Sequence, residues 1–258
     1  MDHKIINKAV FSIIVISKDN SEELLDTIKS IPKSNDFLIE LIVIDSSKKA
    51  IKIYYECHNL IYKHTKPDGI YPAQNLGISL SKGDYIIVMN SGDSFYHRAH
   101  ILFNKIIGLK MFNAFVFSVI YRKQSGDPIL TYNPNSNSMW PQQTVVLRKK
   151  VHDEFGNFPL KYRYAADQIY YAEVRSFLNI YYSKEVLGYF THGGVSTNSI
   201  NFRMYFENFK TWRKLNKSLI FSFLKAFIFP FCKYFIENIL NLNGLGVRAR
   251  KLFDSNIT

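Results

Sequence analysis

VFSIIVISKDNSEELLDTIKSIPKSNDFLIELIVID, residues 10–45, is the stretch on which the fold depends. Val10–Ser17 is an apolar, β-branched run of strand length, the pattern of a strand buried on both faces. Asp19, Asn20 and Ser21 then offer side-chain oxygens suited to capping a helix. Leu24, Leu25, Ile28 and Ile31 recur at helical spacing until Pro32 stops them. A second apolar run, Leu38–Asp45, ends on a carboxylate.

The same rhythm continues downstream. Leu60–Lys63 reads as a short third strand, and Pro67-Asp68-Gly69 as a turn. Ile70–Leu80 reads as a helix with Ala73, Leu76, Gly77 and Leu80 on one face, closed by Gly83. Asp84–Asn90 is the next strand. Strands alternating with helices across short connections imply right-handed crossovers and a mostly parallel sheet, an α/β, Rossmann-like architecture. Ligands of such sheets bind beyond the carboxyl ends of the strands, where Ser17, Asp45 and Asp93 fall.

Beyond Asp93 the order is mixed. The pattern predicts a helix about His97–Ile107, strands at Ala114–Arg122 and Thr144–Arg148, and a turn at Ser125–Pro128. A short helix near Val151–Phe155, a helix over Ala165–Phe177 and a strand over Ile180–Thr191 follow. From Asn201 the chain turns helical and basic, so we expect an α/β domain over 1–200 and a helical extension over 201–258.

A chain of 258 residues can bury one substantial core. The net charge of +12 is unevenly placed: residues 201–258 hold ten Lys or Arg against three Asp or Glu. Such an excess attracts anionic lipid, phosphorylated ligands or nucleic acid. No basic run interleaves with a nucleic-acid motif, so nucleic acid is not expected as a partner. The two cysteines, Cys57 and Cys232, have no CxxC spacing, which suits a reducing cytosol and argues against a disulfide scaffold or zinc site. The N-terminal apolar run has no small-residue cleavage site and reads as a buried strand rather than a signal peptide.

Asn90-Ser91-Gly92-Asp93 is the most chemically loaded segment. A carboxylate on a flexible turn after a strand suits a hard cation whose other ligands are substrate phosphates. Equally, it suits an Asx-type turn capping a helix that starts near Phe95. The wider pattern of motifs bears on that choice. IIVISKDN, ELIVIDSS, PDGIYPAQNLGISLSKGDYIIVMNSGD, EFGNFPLKYRYAADQIYY and FTHGGVS, in that order, resemble the motifs of glycosyltransferase family 2, particularly bacterial enzymes that build surface polysaccharides. The resemblance runs from about Phe11 to Ser196.

It implies a GT-A fold and an inverting transfer from a nucleotide-diphosphate sugar, UDP-linked, with Mg²⁺ or Mn²⁺ as cofactor. Asp45 would bond the base or ribose of the donor, with Ser17 lining the same pocket; Asn75 and Ser91 would lie near the donor. Asp93 would hold the metal and Asp167 would act as general base. His192 would touch the diphosphate or the metal, against the plainer reading of a structural strand-end histidine. The plainer reading of Asp45 is a turn residue, and that of Asp167 a helix N-terminal carboxylate favoured by the macrodipole.

The chain departs from the family at several points. Asn90 stands where many relatives carry a second aspartate, Pro72 replaces an aspartate, Lys66 an acidic residue, and Gln142-Gln143 a His-Gln pair. A degenerate, non-catalytic paralogue is therefore one alternative. A sugar nucleotidyltransferase is another, although its Gly-rich basic loop is replaced by ISKDNSEE. The stretch Ser218–Leu240 is interrupted by Lys225, Pro230 and Lys233, so an interfacial helix on an anionic membrane surface is favoured over a span. That reading places the protein in the cytoplasm, peripheral to the inner face of the membrane, beside a lipid-linked or growing glycan acceptor.

Overall fold

The computed structural model describes residues 8–123, 125–191, 201–216 and 218–230. The first half alternates as expected: β1 (Ala9–Ser17), α1 (Ser21–Lys29), β2 (Phe37–Asp45), β3 (Asn59–His64), α2 (Ile70–Leu80) and β4 (Tyr85–Asn90). β3, β2, β1 and β4 lie side by side and parallel. The register pairs Ser17 with Asp45 and Ile16 with Asn90, bringing the three strand ends level.

The apolar runs are continuous because both faces of this sheet are covered. Phe11, Ile13 and Val15 point to one layer, where Phe11 stacks on Phe103 and Tyr85 at centroid distances of 4.4 and 4.7 Å. Ile14 and Ile16 point to the other, with Tyr71, Ile78 and Trp140. Each fully buried side chain of this size contributes roughly 1.5–3 kcal/mol. Gly77 lets α2 lie close on β1: a Cβ there would sit 2.3 Å from Ile14 Cγ2.

The second half is mixed. It comprises β5 (Ser94–Phe95), α3 (Ala99–Gly108), β6 (Ala114–Arg122), β7 (Pro128–Tyr132), β8 (Val145–Arg148), α4 (Lys149–Phe155), α5 (Ala166–Val174) and β9 (Ile180–Thr191). The sheet order is β3-β2-β1-β4-β8-β6-β9-β5, with β7 on β6. β8 runs antiparallel to β4 and β6, whereas β9 is parallel to β6. The architecture is mixed α/β with a largely parallel central sheet, as the sequence pattern implies.

Two local expectations are corrected, and one strand is added. No side chain caps α1: Asp19, at φ 52°, instead accepts from Lys48 N at 2.9 Å and donates its own N–H to Ser47 Oγ at 2.7 Å. Its oxygens serve the neighbouring β2 loop, not the helix. Phe95 starts no helix; it pairs in β5 with Gly188, where a Cβ would lie 2.7 Å from the Ser94 carbonyl. β7 is the unexpected strand, an exposed edge whose periodicity is too weak to read.

The extension begins with α6 (Phe202–Leu215), capped by the Asn201 side chain, which accepts from Arg203 N and Met204 N. α7 (Leu219–Phe223) and a π-helical turn at Leu224–Ile228 follow. Among the described residues no helix is long and apolar enough to cross a membrane. Cys57 is a free thiol, and Cys232 lies outside the described residues.

Candidate active site

Asp45 ends β2 fully buried. Its Oδ1 accepts from Ser47 N at 2.9 Å, and its Oδ2 from Ile51 N at 3.1 Å and Tyr62 Oη at 2.5 Å. Burial pushes its pKa up, but hydrogen bonds from Ser47, Tyr62 and Ile51 outweigh that and hold the carboxyl below its ordinary value. Asp45 thus folds the 46–51 loop back over the strand end. Ser17, its register partner, is also buried, with its hydroxyl 3.4 Å from the Asn20 carbonyl.

The turn after β4 is held from behind by α1. Thr27 Oγ1 donates to the Asp93 carbonyl at 2.7 Å and accepts from Gly92 N at 3.0 Å. Gly92 sits at φ 96°, in the left-handed region that favours glycine. Ser91 is half-buried, its N–H bonded to the Ile16 carbonyl at 2.9 Å. Asp93 is only 4% exposed. Its Oδ2 accepts from Gln143 Nε2 at 2.7 Å and its Oδ1 from Thr191 N at 3.1 Å. Desolvation pushes its pKa up to about 6, against those hydrogen bonds and the positive charge of Arg122.

Helix α2 joins this turn to the expected base. Gln74 is fully buried and exchanges two hydrogen bonds with Gln142, at 2.8 and 2.9 Å; it also donates to Asn90 Oδ1 at 3.3 Å. Gln143, the next residue, holds Asp93. One turn earlier in α2, Tyr71 Oη donates to Asp167 Oδ1 at 2.8 Å. Asp167 lies half-buried in the first turn of α5, and burial pushes its pKa up. Asn75 is fully engaged elsewhere: it donates to the Phe158 carbonyl at 2.8 Å and accepts from Phe158 N at 3.0 Å. Its amide clamps the loop before α5. His192 lies outside the described residues.

A buried carboxylate from the extension completes the frame. Glu207 on α6 accepts from the backbone N–H groups of Arg163, Tyr164 and Ala165, at 2.7 to 3.1 Å, and from Arg203 Nε at 3.2 Å. Three consecutive donors aimed at one carboxylate form an anion nest, and this one is filled by the chain itself. The loop that delivers Asp167 is thereby set by α6.

The model for glycosyl transferase family 2 matches residues 12–209. The chain belongs to this family. Among solved structures, S. aureus TarS 1–349 in complex with UDP-GlcNAc is similar at a TM-score of 0.57 and 15% identity, over 84% of this chain and 72% of that one. The mannosyltransferase PcManGT from Pyrobaculum calidifontis, in complex with GDP-Man and Mn2+, is similar at a TM-score of 0.61 and 9% identity, over 98% and 77%. Those likenesses establish the GT-A fold. No curated protein sequence matches the chain. The protein is a glycosyltransferase.

For a glycosyltransferase the donor set around Asp93 is sparse: among the described residues no three His, Cys, Asp or Glu side chains converge to hold a metal. The site still fits a divalent cation of a particular kind. Asp93 is a single carboxylate whose burial raises its pKa to about 6 against hydrogen bonds and the charge of Arg122. Each of its oxygens accepts one hydrogen bond and retains a lone pair. A cation taking most of its ligands from a diphosphate and water suits such a site.

Sequence reasoning missed Tyr62, Tyr71, Gln143 and Glu207. Gln143 was visible only as a departure from a family pattern. Tyr71 stands four residues before Asn75 on the same helix, a spacing that places both on one face.

Proposed function

We propose that this glycosyltransferase moves a sugar from a nucleotide-diphosphate donor, UDP-linked, to a hydroxyl of a lipid-linked or growing surface glycan, inverting the anomeric centre. The observation that carries this reading is the hydrogen-bonded frame of α2. That helix supports Asp93 through Gln74, Gln142 and Gln143, and Asp167 through Tyr71, so the leaving-group side and the attacking side share one rigid element. TarS with UDP-GlcNAc and PcManGT with GDP-Man, both on this fold, support a nucleotide-sugar donor.

Asp167 takes the proton from the acceptor hydroxyl at its carboxylate, with Tyr71 holding Oδ1 in place. Its raised pKa makes it a stronger base than an exposed aspartate. Asp93 is the residue that would hold Mg²⁺ or Mn²⁺, which when bound supplies Lewis-acid stabilisation of the departing diphosphate. Asp45 organises the 46–51 loop that borders the nucleotide pocket, with Ser17 beside it; direct contact of its carboxylate with a base or ribose requires that loop to open. Ser91 presents the turn, Asn75 positions Phe158, and His192 remains a candidate diphosphate contact. The exposed Leu219, Ile220 and Phe223 of α7, together with the basic extension, support attachment to an anionic membrane surface at the cytoplasmic face.

A non-catalytic reading has one observation in its favour: both oxygens of Asp93 already accept from protein donors. A donor screen decides between the two. UDP- and GDP-sugar binding and turnover are measured with and without Mn²⁺ on the wild type, Asp93→Ala and Asp167→Asn. We expect metal-dependent turnover that falls at least a hundredfold in Asp93→Ala, and donor binding without transfer in Asp167→Asn. Metal-independent binding with no turnover in any protein would establish the non-catalytic reading, and equal transfer by Asp167→Asn would remove that residue as base.

A further inference from the structure

A surface pocket of about 320 Å³, open to solvent, lies between Lys161-Tyr162 and α6, lined by Lys161, Tyr162, Arg203, Phe206, Glu207 and Lys210. Its electrostatics are lopsided. The Lys161 and Lys210 ammonium groups lie over the same Tyr162 ring, at 5.2 and 5.3 Å from its centroid, and Lys210 also lies 4.9 Å from that of Phe206. Neither ammonium has a carboxylate partner among the described residues. Glu207, the one acid in the lining, spends its charge on three backbone N–H groups and Arg203. Both ammonium groups line the same pocket, so an anion entering it is attracted by both.

We infer that this cavity is a subsite for the phosphate group of a phosphorylated carbohydrate, the acceptor of the transfer. Lysine ammonium groups bind phosphate as point charges, while the Tyr162 and Phe206 rings offer apolar faces against which sugar C–H groups pack. The volume stands at the lower end of the 300–1,000 Å³ or so typical of small-molecule sites, room for about one sugar phosphate unit. Glu207 lines the cavity while holding the backbone that leads to Asp167. An acceptor anchored here by its phosphate is therefore held beside the loop that carries the base. The assignment of the ligand as acceptor rests on the proposed transferase reading; the anion site itself does not.

Calorimetric titration of the full chain tests the site, using glucose 1-phosphate, inorganic phosphate and unphosphorylated glucose as probes. Saturating UDP with Mn²⁺ is present to block the donor pocket. Flotation with phosphatidylglycerol-containing vesicles forms a second arm, and Lys161→Gln/Lys210→Gln, which removes both charges and keeps polar side chains, is compared with the wild type in both. We expect glucose 1-phosphate to bind at least tenfold more tightly than glucose, and the double variant to lose at least fivefold of that affinity with its melting temperature unchanged. Variant-sensitive flotation without soluble binding identifies a lipid-borne phosphate as the source. Equal affinities in the two proteins, or binding in neither arm, would overturn the subsite. If UDP itself fails to bind, the donor proposal falls, and the same titration without UDP still reads the cavity.

Discussion

Tyr71 and Asp167 form the pair whose chemistry is easiest to isolate. Burial raises the pKa of Asp167, and the Tyr71 hydroxyl opposes that rise by donating to the charged carboxylate. Removing the hydroxyl as Tyr71→Phe leaves desolvation less opposed, so the Asp167 pKa rises further. In the proposed mechanism Asp167 must be ionised, so the acid limb of kcat/KM moves to higher pH in the variant, and a pH–rate profile checks it. An unmoved limb with a lower plateau would mean Tyr71 only packs.

Asp93 bears on stability as well. Its folded-state pKa is about 6 against a reference of 3.8, so the folded state holds the proton more tightly than the unfolded chain. For an acid shifted in this direction, stability falls as pH rises from about 4 through 6. The shift corresponds to an upper limit of roughly 3 kcal/mol. Asp93→Asn removes that dependence, since Gln143 can turn its amide to accept. In the metal-free protein, the melting temperature of the variant relative to wild type should climb between pH 4.5 and 7.5; a pH-independent difference would refute the assignment.

At the scale of elements, α6 behaves as part of the site rather than as an appendage. Glu207→Gln keeps one acceptor but turns an amide N–H towards backbone donors, and hydrogen bonds to a charged group are worth about 1.5–3 kcal/mol. We expect that variant to retain donor affinity while kcat falls at least tenfold, read from single-turnover transfer and a nucleotide titration. Elements of the first half were legible because β1, β2 and β4 are buried on both faces and each helix on one, so hydrophobic period reports structure directly. Asp93 and Asp167 stood out as carboxylates at strand and helix ends. The Glu207 nest did not, because its donors are backbone groups, which carry no sequence signature, and its acceptor lies 42 residues beyond Ala165. β7 was illegible for a different reason: an exposed edge strand has no buried face to impose a period.

For the whole molecule, charge and exposed apolar surface concentrate at the C-terminal end. A truncation meant to test membrane attachment must spare Glu207, so the informative boundary falls after Leu215. A chain ending at Asn216 should keep donor binding while losing flotation on anionic vesicles, with its melting temperature lowered because Phe227 no longer packs on Tyr205 and Phe209. Retained flotation would locate the attachment elsewhere. A chain ending at 200 should instead lose transfer along with stability, because residues 163–165 are left with three backbone donors and no carboxylate.

The Glu207 nest also sets an order of maturation. Synthesis runs from the N-terminus while a domain folds as a unit, and β1 to β4 with the Asp93 turn precede α6 by more than a hundred residues of chain. A nascent chain therefore carries the Asp93 turn long before the 163–165 backbone meets its Glu207 acceptor. The segment that supplies Glu207 also carries the basic surface, so a product terminated before α6 lacks the anchor of the 163–165 loop and the stability that goes with it.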